Sequence, residues 1–129
     1  MSDRSERAVL LKQGKSNCAQ AVALAFSDIT HMSEEDIFKI AQAFGGGLGT
    51  MDGHCGAISG AAVIIGLLYD DKKTVMMKIR NISEAFKDRN ETLICRQLKG
   101  IDTGEAKRSC DDCVRDAVEF LEKELVDLC

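Results

Sequence analysis

Six cysteines stand in this chain of 129 residues, and each thiol is a candidate nucleophile, redox centre or soft ligand for a metal. Three of them fall where helices are expected to begin. Asn17 is a favourable N-cap answered by Gln20, which puts Cys18 in the first turn of a helix. Ser109 and Asp112 repeat the arrangement and place Cys110 at the same point of the last helix. Cys55 stands at or just before the start of a third, after Asp52 and Gly53. At a helix start the orphan N–H groups and the dipole favour the thiolate, which is the reactive form in every one of these roles. Helical spacing then gives direction. Cys18 lies one turn before Val22, Cys55 three residues before Ile58 and Cys110 four before Val114, so each thiol continues an apolar stripe and should point inward. Cys95 sits on a short turn beside Arg96. The plainer alternative is that buried cysteines act as small hydrophobes.

Other residues near the thiols carry weaker signals. Cys110 to Cys113 is a CxxC, but its two central residues are aspartates, which would repel a thiolate, and no strand precedes it as in thioredoxin-like sites. Structural zinc sites use two close-spaced ligand pairs, and this chain has one. The run Gly45, Gly46, Gly47 and Gly49 lacks the Lys-Ser/Thr ending of a phosphate loop and follows a helix. It reads either as a helix stop or as bare backbone brought against a bound group, with N–H donors aimed at an anion or at sulfur. His54, next to Cys55, is a ligand, a proton donor or a loop hydrogen bonder; His31 carries no signal.

The elements that must position these residues are all helical. Apolar side chains recur at three- and four-residue spacing, with no alternation of period two and no proline. A first helix is expected over Ser2 to Lys12, stopped near Gly14. The second carries Cys18, Ala21, Val22, Ala25, Phe26 and Ile29 on one face. The third opens at Ser33, with Asp36 completing a capping box and Ile37, Ile40, Ala41 and Phe44 inward. The fourth, about Cys55 to Leu68, is apolar on every side and should be the central and most buried helix, while Gly56 and Gly60 leave one side bare for a close neighbour. The fifth covers roughly Lys72 to Lys87 with Val75, Ile79, Ile82 and Phe86 inward. A short turn spans Leu93 to Leu98, and the last helix buries Val114, Ala117, Val118, Leu121, Leu125 and Leu128. The expected fold class is all-α, a single-domain bundle over residues 1–129 of about five to six helices.

Composition excludes several function classes. A formal charge of −4 gives no basic footprint for nucleic acid, and a chain with no Trp and one Tyr offers no stacking platform. The uncharged stretch Gly53 to Tyr69 is too short, and too rich in Gly, Ala and Ser, for a membrane span. The first residues show no apolar export segment, so the expected compartment is the cytoplasm. There, six cysteines point to ligands or redox thiols rather than to a disulfide framework.

The cysteines and their surroundings also follow a known order. Cys18 in "GKSNCAQAVALAF", Cys55 in "FGGGLGTMDGHCGAISGAAVIIGLLY", Cys95 in "CRQLKG" and Cys110 in "CDDCVRDAVEFL" resemble the redox-active proteins named for their C_GCAxxG_C_C pattern, over about Leu11 to Leu125. The resemblance implies four characteristic cysteines, Cys18, Cys55, Cys95 and Cys110, holding an iron–sulfur or similar group for electron transfer with a redox partner protein. It leaves Cys113 and Cys129 outside the pattern. The terminal Cys129 is expected to be exposed and inert.

Three readings follow for function. The first is an electron carrier or accessory protein whose metal group sits on Cys18, Cys55, Cys95 and Cys110, with Gly45, Gly46, Gly47, Gly49 and His54 lining it. Whether such a carrier is itself an enzyme, or assembles as a homo-oligomer, is left open by the residues. The second is a cofactor-free thiol–disulfide protein in which Cys55 attacks and Cys18 or Cys110 resolves. The third is a helical interaction module with structural cysteines. The first two require Cys55 and at least two other thiols to face one cavity, expected to be floored by Gly45 to Gly49.

Overall fold

Five helices of the protein begin on a short polar side chain that accepts the backbone N–H three residues on: Ser2, Asn17, Ser33, Asp71 and Ser109. In the computed structural model, which describes residues 2–128, these start α1 (Asp3–Gln13), α2 (Cys18–Leu24), α3 (Glu34–Ala41), α5 (Lys72–Asn90) and α7 (Cys110–Glu124). Two helices have no side-chain cap, α4 (Gly56–Leu68) and α6 (Cys95–Lys99). Their N-terminal segments are instead tied to each other. The Cys55 N–H donates to the Leu93 carbonyl at 2.7 Å and the Cys95 N–H to the Gly53 carbonyl at 3.0 Å. The resulting one-residue antiparallel bridge between His54 and Ile94 is the only extended pairing among the described residues, so the architecture is all-α.

The core forms between α2 and α4, and the other helices surround that pair. Gly60 explains the closeness. A Cβ there would fall on the Ala19 carbonyl oxygen and 3.1 Å from the Ala19 Cα, so only a bare backbone lets α2 lie against α4. The centre is not α4 alone, however. Ala19 through Phe26 are all buried, whereas α4 keeps Gly66 exposed and Leu67 and Leu68 half-buried. The helix expected to be the most buried is therefore surpassed by α2, which is enclosed from Ala19 to its end.

Two inward assignments are corrected. Ile40 is 44% exposed, since Ala41 takes the inward position one turn after Ile37. Leu128 is 46% exposed, because α7 ends at Glu124 and the chain leaves the helical stripe after Leu125. Ser33 caps α3 through the Asp36 N–H, which is half of the expected capping box; the complete box occurs at Asn17 and Gln20. Helix α5 continues one turn beyond its expected end, stopping at Glu91 in the left-handed conformation.

Between α3 and α4 the chain makes a left-handed turn. Gly46, Gly47 and Gly49 have φ of 62°, 59° and 75°, and Leu48 joins them at 59°. Glycine enters this region freely and leucine does not. Gly47 is further required because a Cβ there would lie 2.6 Å from the Cys95 Cβ. The turn thus presses its backbone against the start of α6.

Candidate functional site

The helix starts converge. Cys18 and Cys110 are the first residues of α2 and α7, Cys95 is the first of α6, and Cys55 is the N-cap of α4. All four line one cavity of about 10 Å³, together with Cys113, one turn into α7. That volume is about the room of a single water. Cys55, Cys95 and Cys113 are buried, and Cys18 and Cys110 are half-buried. Gly56 brings α4 to α2 at this point, since a Cβ on it would lie 3.3 Å from the Cys18 Cβ.

Of the residues expected around the thiols, Gly46 lines the cavity. The rest of the glycine run acts from behind it. Gly45 packs on the Asn17 side chain that caps α2, Gly47 packs on Cys95, and nothing lies within 4 Å of where a Cβ on Gly49 would stand. His54 is exposed, takes part in the bridge to Ile94 and does not line the cavity. The floor is therefore Gly46 with Gly56 rather than the whole run. Cys129 lies outside the described residues.

Within the cavity the thiols act on one another in two pairs, Cys18 with Cys110 and Cys55 with Cys113. The first pair is polarised toward Cys110. A hydrogen bond from Cys18 lowers the Cys110 thiol to about 6, against the opposing cost of burial and with help from the ammonium groups of Lys99 and Lys12. Cys18, as donor and half-buried, is pushed well up. The second pair is polarised toward Cys55. The Cys113 hydrogen bond lowers it, burial opposes, and the backbone N–H groups of Ala57 and Ile58 at the start of α4 add to the lowering. Cys113 is held well up by the same hydrogen bond and by burial. Cys95 is paired with no other thiol among the described residues; burial raises it and Lys99 pulls the other way.

Cys113 is the cavity-lining thiol that the sequence pattern leaves out. Its signal was present, since Cys110 and Cys113 are three apart on a helix and share a face. The aspartates between them obscured it. They turn outward: Asp111 pairs with Lys12 at 3.0 Å, and Asp112 pairs with Arg115 at 2.8 Å and is tied at its own N–H to the Ser109 cap. Lys12 offsets the Asp111 charge at Cys110: the ammonium lowers that thiol while the carboxylate raises it.

Thiolates are suitable ligands for iron or zinc, and the five here could in kind hold such a group. The space does not match that donor set. The five thiols line a cavity with room for about one water, and no three ligating side chains among the described residues are grouped to hold a metal ion. The arrangement as it stands does not fit an iron–sulfur cluster.

A family model described as "Putative redox-active protein (C_GCAxxG_C_C)" matches residues 16–124, the segment that contains every thiol of the cavity. The chain belongs to this C_GCAxxG_C_C family. Comparison with curated proteins and with solved structures gave no match. The family description agrees with a redox role for the cysteines and names no cofactor. No helix among the described residues is long and apolar enough to cross a membrane.

Proposed function

We propose that this C_GCAxxG_C_C protein is a thiol–disulfide redox protein that uses two dithiols, Cys18 with Cys110 and Cys55 with Cys113. The observation that carries the reading is the convergence of five thiols from the starts of four helices on one small cavity. Within it Cys18 lies with Cys110 and Cys55 with Cys113, and the lowering of Cys110 and Cys55 against their partners supplies a nucleophile and a resolving thiol in each pair. Cys110 is the better nucleophile of the two lowered thiols because it is half-exposed while Cys55 is buried. This differs from the order expected from the sequence, in which Cys55 attacks.

In the reaction the Cys110 thiolate attacks one sulfur of a partner's disulfide. A mixed disulfide forms and the partner's other sulfur leaves as thiolate. Cys18 then gives up its proton to the departing sulfur or to water and attacks the Cys110 sulfur, releasing the second partner thiolate. The protein loses two electrons and the partner's disulfide gains them. Cys55 and Cys113, deeper in the same cavity, form a second dithiol that exchanges with the first. A redox partner protein and a reducing compartment such as the cytoplasm suit this chemistry, since the dithiol must be returned to its reduced form after each exchange.

The test is metal and acid-labile sulfide analysis of protein prepared without oxygen, with thiols titrated before and after oxidised glutathione. The expected result is no stoichiometric metal or sulfide and a reversible loss of thiols in twos. Brown protein with stoichiometric iron and sulfide would mean that the thiol pairs open around the group implied by the family resemblance. Inert thiols would return the cysteines to packing.

A further inference from the structure

Besides cysteine and glycine, the cavity is lined only by Leu98, Lys99 and Arg108. Both polar residues are cations, and among the described residues no carboxylate lines the cavity, although Asp116 holds Arg108 and Asp111 acts on Cys110 from behind, in a chain whose acidic side chains outnumber the basic by 21 to 17. We propose that the mouth of the thiol cavity is a binding site for a small anionic disulfide, with Lys99 and Arg108 holding its carboxylates while its sulfur reaches Cys110. The inference rests on the thiol–disulfide reading and names the substrate class for that same site.

The two cations are placed differently. Arg108 is fixed. Its Nε and Nη2 donate to Asp116 at 3.0 and 2.8 Å, and Asp116, 2% exposed, is held in turn by Arg89 at 2.9 Å and Asn90 at 3.0 Å. The remaining Nη1 has no hydrogen-bond partner among the described residues. Lys99, the last residue of α6, has neither an ion pair nor a hydrogen bond among the described residues, and the groups it acts on are the thiols of Cys95 and Cys110. An unpaired ammonium beside an anchored guanidinium is a suitable receptor for a carboxylate. The cavity limits the size of the guest. With room for about one water, it cannot enclose the disulfide, which meets the half-buried Cys110 at the mouth with its flanking groups outside, beside the cations.

The exchange balances without another reagent. The Cys110 thiolate attacks the disulfide, the first carboxylate-bearing thiolate departs, and Cys18 displaces the second with release of one proton. The protein dithiol is oxidised by two electrons and the small disulfide is reduced to two thiolates, one of which can take up the proton from Cys18.

Three disulfides of similar length separate charge from reactivity: dithiodipropionate (anionic), hydroxyethyl disulfide (neutral) and cystamine (cationic). Oxidation of the reduced full-length protein is followed with each by loss of titratable thiol. Because the whole chain is negative, its overall field favours cystamine, so a preference for the anion must arise locally. The expected result is that dithiodipropionate reacts about tenfold faster than cystamine at low salt, with the ratio falling toward one in about 1 M salt. Lys99→Gln should cut that ratio at least about threefold. Lys107→Gln, which removes the same charge from a residue paired with Glu91 outside the cavity, should leave the ratio unchanged. Using the ratio cancels any effect of Lys99 on the Cys110 thiolate itself. Cystamine reacting as fast as the anion, or Lys107→Gln changing the ratio as much as Lys99→Gln, would overturn the site. Failure of all three disulfides, the neutral one included, would instead overturn the underlying thiol–disulfide reading.

Discussion

Replacing Gly60 with alanine sets two effects of opposite sign against each other. In an exposed helix the change stabilises, because alanine exceeds glycine by about 1 kcal/mol in helix propensity. At Gly60 the added methyl would overlap the Ala19 carbonyl oxygen and lie 3.1 Å from the Ala19 Cα, so α2 and α4 must move apart. Both contacts are backbone, and no side chain can rotate away. Overpacking of this kind costs about 3 kcal/mol at the upper end of its usual range. The net effect is a loss of about 2 kcal/mol, a fall of about 1 M in the urea midpoint for a domain of this size. Gly66 supplies the control within the same helix. It is exposed with nothing within 4 Å of a Cβ, so Gly66→Ala should raise the midpoint, by about 0.5–1 kcal/mol in stability. Urea unfolding followed by circular dichroism measures both. A Gly60→Ala midpoint at or above wild type would refute the close approach of α2 and α4, and a Gly66→Ala midpoint below it would refute the sign of the propensity effect.

Three further outcomes are expected. Leu48→Gly should stabilise by about 0.5–1 kcal/mol in the same unfolding assay, since Leu48 is 56% exposed at φ 59° and only the unfavourable left-handed backbone is relieved; a destabilised variant would contradict the turn. Asp116→Ala should cost about 3 kcal/mol, a fall of roughly 10 °C in Tm, because Arg89, Asn90 and Arg108 lose their common acceptor; an unchanged Tm would remove the buried network. Cys110 should be alkylated by iodoacetamide before the other thiols, with a rate that rises through about pH 6 rather than near the ordinary thiol value of 9.0. The same lowering means that the unfolded chain binds more protons between those values, so this thiol stabilises the fold as pH rises above about 6 and the contribution is lost as pH falls back through it. A profile centred near 9 would show that Cys18 does not hold the thiolate.

Much of this fold is legible in local chemistry. Asn17, Ser33 and Ser109 fix three helix starts with side-chain oxygens that need nothing beyond three residues of sequence. The bare edge of Gly56 and Gly60 likewise marks a close neighbour without naming it. What was not legible depends on contacts distant in sequence. Cys95 opens a helix that has no capping side chain, and only the bridge between His54 and Ile94 sets that start beside Cys55. Cys113 belongs to a CxxC whose aspartates count against a thiolate, and their pairing with Lys12 and Arg115 depends on the folded chain. The convergence of Cys18, Cys55 and Cys110 was expected from three inward-pointing helix starts. Their division into two pairs required the packing of α7 across the starts of both α2 and α4.

The most direct measurement is disulfide mapping by mass spectrometry after equilibration in redox buffers of graded potential. Two successive two-electron oxidations are expected, with Cys18 joined to Cys110 in the first and Cys55 joined to Cys113 in the second, both reversed by dithiothreitol. Linkages that cross the pairs or join Cys95, or an absence of any intramolecular disulfide across the series, would contradict the two-dithiol site.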